Sequence, residues 1–201
     1  MSLPASYFDE MYARSADPWG FTQRWYEQRK YAITVAMLPR RRYRRAFEPG
    51  CSIGVLSEAL APRCEALLAV DRSAVAVDTA RTRLARFPHV RVGQWALPSW
   101  PARTFDLVVL SEVGYYFDEP ELAGMLTAAV DSLEPGGHLV AVHWRHPVPE
   151  YPRSGDEVHA ALAGTAGLAS VARHREPDFA LDVFARTPPE PRSVADLEGL
   201  T

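Results

Sequence analysis

The strongest chemical signal in the chain is the segment Glu48-Pro49-Gly50-Cys51-Ser52-Ile53-Gly54, which follows an apolar run and precedes an amphipathic stretch. Small residues at a strand-to-helix turn let the backbone approach a ligand, and the helix start offers that ligand free N–H groups. Twenty-three residues after Glu48, the run Leu67-Leu68-Ala69-Val70 ends in Asp71. An acid at that place can accept both hydroxyls of a ribose, so loop, acid and spacing together point to an adenosine-bearing cofactor. A dinucleotide fingerprint needs a further glycine near the helix to admit a pyrophosphate. Here Gly54 is followed by Val55-Leu56-Ser57, and GxGxxG is poorly met.

Acceptor chemistry belongs at the carboxyl ends of other strands, where open α/β sheets bind their ligands. Two ends offer suitable side chains: Ser111, Glu112, Tyr115 and Tyr116 after one apolar run, and His143, Trp144, Arg145 and His146 after another. Glu112, His143 and Tyr116 are the candidates for catalytic groups, a base near neutral pH being suited to take a proton from an acceptor. The bland alternatives are a Glu112 that satisfies backbone N–H groups and a His143 that pins the following loop. Tyr115, Arg145, His146 and Tyr151, with Asp156, would offer hydrogen bonds to a polar acceptor. His143, His146 and His159 lie within 17 residues, but no carboxylate or thiol joins them at familiar ligand spacing, so no metal is expected.

The elements that must hold these groups are legible as short apolar runs alternating with amphipathic stretches, the pattern of a parallel sheet with helical crossovers. The runs are Arg45 to Glu48, Ala66 to Val70, Val90 to Val92, Phe105 to Leu110 and His138 to Val142. Phe105 to Leu110 is nearly all apolar, as a central strand covered on both faces requires. After it, Asp118 can cap a helix with Pro120 in its first turn, and Leu122, Met125, Leu126, Ala129, Val130 and Leu133 recur at helical spacing. Pro135-Gly136-Gly137 reads as the stop that turns the chain into the next strand. Further helices are predicted at about 54 to 62, 73 to 86 and 156 to 163. Segments at about 168 to 175 and 179 to 186 read as a hairpin around Arg175-Glu176-Pro177-Asp178. Residues 187 to 201 read as a mobile tail.

The first 31 residues hold eight of the 21 aromatics. They precede the first strand and must pack outside the sheet, as plain packing or as a cap over a flat ligand. The 201-residue chain carries 22 basic and 25 acidic residues, a formal charge of −3, which argues against a general nucleic-acid binder. Of the basic residues only Lys30 is lysine. The run Arg40-Arg41-Arg42-Tyr43-Arg44-Arg45 reads as a solvated turn before the first strand rather than a phosphate site. Two cysteines without a CxxC pair argue against a disulfide framework. The opening MSLPASYFDE lacks a leader's basic and apolar regions, and no apolar run nears a membrane span, so a cytoplasmic protein without membrane association is expected.

Glu48 to Gly54 resembles the first motif of class I S-adenosylmethionine-dependent methyltransferases, an acid followed by GxGxG, with Ser52 in place of the middle glycine. Asp71, FDLVVLSEV, LEPGGHLVAVHW and the terminal hairpin match later parts of that family in order, so the resemblance spans about residues 46 to 186. DPWGFTQRWYEQRKY, followed by EPGCSIGVLSEALAPRC, resembles the nodulation protein S group, which N-methylates the free amine of a deacetylated amino sugar. The resemblance implies a Rossmann-like seven-stranded α/β fold: residues 1–45 as a helical cap, 46–186 as the S-adenosylmethionine-binding domain with a C-terminal antiparallel hairpin, and 187–201 as the tail. It implies S-adenosylmethionine as cofactor and an amine-bearing sugar as small-molecule acceptor. Cofactor contacts would come from Trp19, Tyr26, Lys30, Glu48, Gly50, Ser52, Gly54, Asp71, Arg72, Gln94, Trp95, Ala96, Ser111 and Glu112. Many members hold the adenine amino group with an acid after the third strand. Gln94-Trp95-Ala96-Leu97 stands there instead, leaving Gln94 or backbone groups at Trp95 and Ala96, with Trp95 equally readable as core. The rivals are a hydroxyl or carboxylate acceptor, nicotinamide chemistry, and a non-catalytic cofactor-binding module.

Overall fold

The computed structural model describes residues 1–201, the side chain of Ala5 excepted. Seven strands form one mixed sheet: β1 Ala46–Pro49, β2 Leu67–Asp71, β3 Val90–Gln94, β4 Phe105–Ser111, β5 Leu133–Trp144, β6 Leu168–Arg175 and β7 Phe179–Arg186. Their order is β3-β2-β1-β4-β5-β7-β6, with β7 antiparallel to both neighbours and the first five strands parallel. The strand order reverses between β1 and β4, and β1, β2 and β4 each end in or next to a residue singled out above.

Every residue of β4 is buried, because both faces are covered. Leu107 and Val109 join one apolar cluster with Tyr31, Leu56 and Leu60, while Val108 and Leu110 join the other with Met125, Leu126 and Val158. The helices are α1 Ala5–Arg14, α2 Trp25–Ala36, α3 Val55–Leu60, α4 Ala74–Leu84, α5 Glu119–Ser132, α6 Gly155–Ala163 and α7 Val194–Leu197. The Asp118 carboxylate caps α5 by accepting the Glu121 N–H, as its place before Pro120 predicts. Ser154 and Glu157 form a reciprocal capping box on α6.

The structure departs from the sequence expectation at β5. Helix α5 ends at Ser132, and Pro135-Gly136-Gly137 lies within the strand rather than before it. Gly136 has φ +70° and the β4–β5 register shifts between Phe105 and Leu107, so the triplet forms an irregular strand entry. The hairpin matches the predicted bounds. The arginine run is tied down rather than freely solvated: Arg44 and Arg45 pair with Glu134, Arg40 donates to the Gly136 carbonyl at 2.8 Å, and the Asp106 carboxylate accepts the Arg44 and Arg45 N–H groups. Past residue 187, Ser193 caps the single short turn of α7.

Candidate active site

The turn after β1 is shaped by backbone that few side chains tolerate. Gly50 has φ +72°, and a Cβ there would lie 2.2 Å from Val113 Cγ1. Ser52, where the family motif has glycine, is also left-handed at φ +50°. Its N–H donates to Asp71 Oδ2 at 2.9 Å, and its hydroxyl meets Tyr12 Oη of α1 at 2.5 Å. Asp71 Oδ1 accepts the Ser73 N–H at 2.9 Å. Burial raises the Asp71 carboxyl above its usual value, with these N–H bonds opposing. Glu48, fully buried below the turn, accepts the Ser57 hydroxyl at 2.5 Å, and desolvation pushes its pKa up to about 8.

At the end of β4 a second polar centre forms around Glu112, itself left-handed at φ +56°. Its Oε1 accepts Lys30 Nζ at 2.6 Å, and its Oε2 accepts the Trp144 N–H at 2.9 Å and the Tyr115 hydroxyl. Lys30 is 1% exposed and also pairs with Glu27, one turn earlier on α2, at 3.0 Å. Burial alone would strip the ammonium of its charge. Glu112 and Glu27 outweigh it and hold the Lys30 pKa above its ordinary value. Beyond Glu112 the rings close up: Tyr115 stacks on Tyr151 at 4.8 Å, and Tyr116 meets both edge-on at 4.8 and 5.0 Å. From α1, Phe8 lies against Tyr116 and Tyr7 against Tyr151.

Glu48, Ser52 and Asp71 of the first centre and Lys30, Glu112 and the tyrosines of the second border one cavity of about 430 Å³, within the size range of small-molecule sites. Of the residues predicted from sequence, Trp19, Tyr26, Lys30, Glu48, Gly50, Ser52, Asp71, Arg72, Trp95, Ser111, Glu112, Tyr115, Tyr116 and Tyr151 line it. Trp95 is 40% exposed and donates its indole N–H to the Ser99 carbonyl, so it is a wall of the cavity and not core. Tyr26 Oη is buried without a hydrogen-bond partner.

Several expectations are corrected. His143 is fully buried and does not border the cavity. Its Nε2 accepts the Gly114 N–H at 3.1 Å, its Nδ1 faces His159 at 3.2 Å, and burial pushes its pKa well below the usual imidazole value. It therefore cannot touch an acceptor in the cavity, and the loop it holds precedes α5 instead of following β5. Arg145 is drawn outward to Asp156 and the Glu176 carbonyl, and His146 to Asp178, so neither reaches the cavity. Gln94 turns its amide to the Arg72 carbonyl at 3.0 Å, and the Trp95 N–H is taken by the Asp71 carbonyl. The Trp95 N–H is thereby taken, and Gln94, whose amide oxygen has no partner among the described residues, is not among those that line the cavity. Ala96 is exposed and off the cavity, while Gly54 acts through the turn, at φ +78° with Ala80 packed where a Cβ would point. Sequence reasoning missed Glu27, and it anticipated Tyr7, Phe8 and Tyr12 only as part of the aromatic cap, not as individual lining residues. For Glu27 a signal existed: it stands three residues before Lys30, on the same helix face.

The model of the nodulation protein S (NodS) family matches residues 9–162. The chain belongs to that family. Nodulation protein S of Bradyrhizobium diazoefficiens is 35% identical over 135 residues, covering 62% of this chain and 61% of the relative. This chain spans between 53% and 61% of the length of the three curated nodulation proteins it matches. Among solved structures, one from Pseudomonas syringae is 48% identical with a TM-score of 0.73, covering 81% of this chain and 100% of that one. N-methyltransferase NodS from Bradyrhizobium japonicum WM9, in complex with S-adenosyl-L-homocysteine, is 25% identical with a TM-score of 0.80, covering 92% and 98%. The class I methyltransferase fold expected from sequence is the fold observed.

Proposed function

We propose that the chain is an S-adenosylmethionine-dependent N-methyltransferase acting on the free amine of an amino sugar or a similar small glycan metabolite. The observation that carries this reading is a single cavity with a buried carboxylate turn at one end and a carboxylate set among tyrosines at the other. Family membership and the bound ligand of the NodS structure support the cofactor.

The cradle fits such a cofactor. Asp71 lines the cavity with lone pairs beyond those taken by Ser52 and Ser73, and these would accept the ribose hydroxyls. Gly50 keeps the turn free of a side chain, and Trp95 and Leu97 offer a wall for a flat ring. Lys30 and Tyr26, which line the cavity, would hold the methionine part. The cofactor supplies an activated methyl on a sulfonium, so the protein's work is to bring a lone pair into line behind it and to exclude water.

Simple amines are mostly protonated at neutral pH, and an acceptor must shed that proton before it can attack. Glu112 is the acid beside the tyrosines that would hold the ammonium and receive its proton. Tyr115, Lys30 and the Trp144 N–H fix its carboxylate in place. Tyr116 and Tyr151 would offer phenol edges and ring faces to a sugar. The test is calorimetry with S-adenosylmethionine, its demethylated product and NAD, followed by mass spectrometry over a panel of amine, hydroxyl and carboxylate acceptors. Binding of the first two and methylation confined to amino sugars is expected. Preference for NAD, or methylation only of hydroxyls, would overturn it.

A further inference from the structure

His143, His159 and Asp182 form a buried polar chain that the proposed methyl transfer does not itself use. Their exposures are 0%, 3% and 0% in an otherwise apolar layer between the sheet and α6. A half-satisfied network there would be worse than an apolar one. This one is satisfied throughout, and its direction is fixed at the cavity end. The Gly114 backbone can only donate, so His143 Nε2 must be the bare nitrogen that accepts it at 3.1 Å. The proton then sits on Nδ1 and is donated to His159 Nε2 at 3.2 Å. His159 in turn donates from Nδ1 to Asp182 Oδ2 at 2.6 Å. Arg175 closes the chain with a fork, Nη1 to Oδ1 at 3.0 Å and Nη2 to Oδ2 at 2.7 Å.

The far end of the chain holds the turn that furnishes the cavity. Gly114 opens the 3-10 turn Gly114–Tyr116, directly after Glu112 and Val113. A Cβ on Gly114 would lie 2.5 Å from Val158 Cγ1 and 3.1 Å from His143 Nε2, so the turn is seated on the relay with no room to spare. The Tyr115 ring packs edge-on to His143 at 5.3 Å while its hydroxyl donates to Glu112.

We propose that His143, His159 and Asp182 are positioning residues: a one-way hydrogen-bond relay from the outer strands that fixes the Gly114 N–H, and with it Tyr115, Tyr116 and Glu112, for the reaction. As a statement about catalysis this rests on the methyltransferase reading above. As a statement about the turn it does not.

Direction makes the proposal testable from a distance. In Asp182→Leu the carboxylate that accepts the His159 Nδ1–H is gone, so nothing holds the proton on that nitrogen. His159 Nε2 then competes for it, and His143 loses the acceptor that keeps its own proton on Nδ1 and its Nε2 bare for Gly114. In 15N-histidine spectra of the protein with S-adenosylhomocysteine, the wild type should show His143 protonated at Nδ1, and the variant should lose that single tautomer, with the Gly114 amide exchanging at least about tenfold faster. With S-adenosylmethionine and glucosamine as probes, kcat should fall by about 10- to 100-fold, the range for residues that support a site from behind. KM for S-adenosylmethionine should change by less than kcat, since the Asp71 cradle is untouched and only Lys30 links the turn to the cofactor end. A second pair keeps the test decisive if that variant does not fold. His143→Gln can still offer Gly114 an oxygen and should retain amide protection that His143→Leu loses. An unchanged His143 tautomer and Gly114 exchange in Asp182→Leu, or equal behaviour of the His143→Gln and His143→Leu variants, would overturn the relay. A wild type that leaves glucosamine unmethylated would instead count against the acceptor reading, with the spectra still judging the relay.

Discussion

Replacing Asp71 by Asn tests the cofactor assignment, and the structure sets the size of the effect. Two ribose hydroxyls donating to a charged carboxylate are each worth about 1.5–3 kcal/mol, and a neutral amide oxygen retains one weaker bond of about 0.5–1.5 kcal/mol. The net loss is therefore about 1.5–5.5 kcal/mol, or about 10- to 10,000-fold in Kd. The same carboxylate accepts the Ser52 and Ser73 N–H groups at 2.9 Å each. An amide can serve one of them, so a buried N–H is orphaned at a cost of about 1–3 kcal/mol of stability. For a chain of this size, about 2–12 °C in Tm follows. Calorimetry with S-adenosylhomocysteine, on variant protein kept well below its melting point, reads the first effect, and a circular-dichroism melt reads the second. A 2′-deoxyribose analogue should bind the wild type more weakly and lose less on mutation. If the Asp71→Asn variant binds S-adenosylhomocysteine within about threefold of wild type while the melt shifts, Asp71 holds the turn and not the ribose.

Lys30→Met removes the cation between Glu27 and Glu112 and should cost about 3–5 kcal/mol in urea unfolding; adding Glu27→Gln should restore part of it, and no restoration would refute the charge argument. Glu48 has a pKa raised to about 8 by burial. Its neutral form favours the fold fully below the unfolded value near 4.5, and that advantage drains away as pH rises to 8, so the stability gap between wild type and Glu48→Gln should move in the variant's favour across that window. His138 is buried, its Nδ1 3.0 Å from Tyr43 Oη, and desolvation lowers its pKa to about 4. Its contribution is present above about 6.5 and lost as pH falls toward 4, and melts of His138→Asn over that range should show a smaller acid loss than wild type.

Most of the scaffold is legible in the sequence because it is written in local patterns. An unbroken apolar run gives β4, a cap and periodic leucines give α5, and a Glu-Pro-Asp turn gives the β6–β7 hairpin. The cofactor end is legible for the same reason, since Gly50, Ser52 and Asp71 lie at fixed distances from strand ends. The acceptor end is not. It is assembled from α1, the turn after β4 and the segment around Tyr151, three stretches that meet only through tertiary packing. His143 shows the limit plainly. Its place at the end of β5 is right, and strand alternation gives its face, but nothing local says that α6 covers that face and makes a candidate base into a buried acceptor for Gly114. Arg145 and His146 fail for a related reason, because the carboxylates of Asp156 and Asp178, remote in sequence, capture them at the surface.

Glu112 joins the two ends of the cavity, and its backbone explains why a glutamate there would be more than the base the proposed function makes it. A non-glycine residue in the left-handed region carries strain of about 1–2 kcal/mol, which persists only where the surroundings fix it. Here its N–H is held by the Val142 carbonyl and its carboxylate by Lys30, Tyr115 and the Trp144 N–H. These partners come from α2, the turn after β4, and β5. Because one side chain accepts from all three, displacement of the helical cap is felt at the tyrosines, and displacement of the turn is felt at Lys30. On the proposed function, the cofactor and acceptor halves therefore share one rigid carboxylate. Substrate choice would then be tuned in the aromatic half by Tyr7, Tyr116 or Tyr151, none of which bonds the β1 turn, without touching the Asp71 cradle.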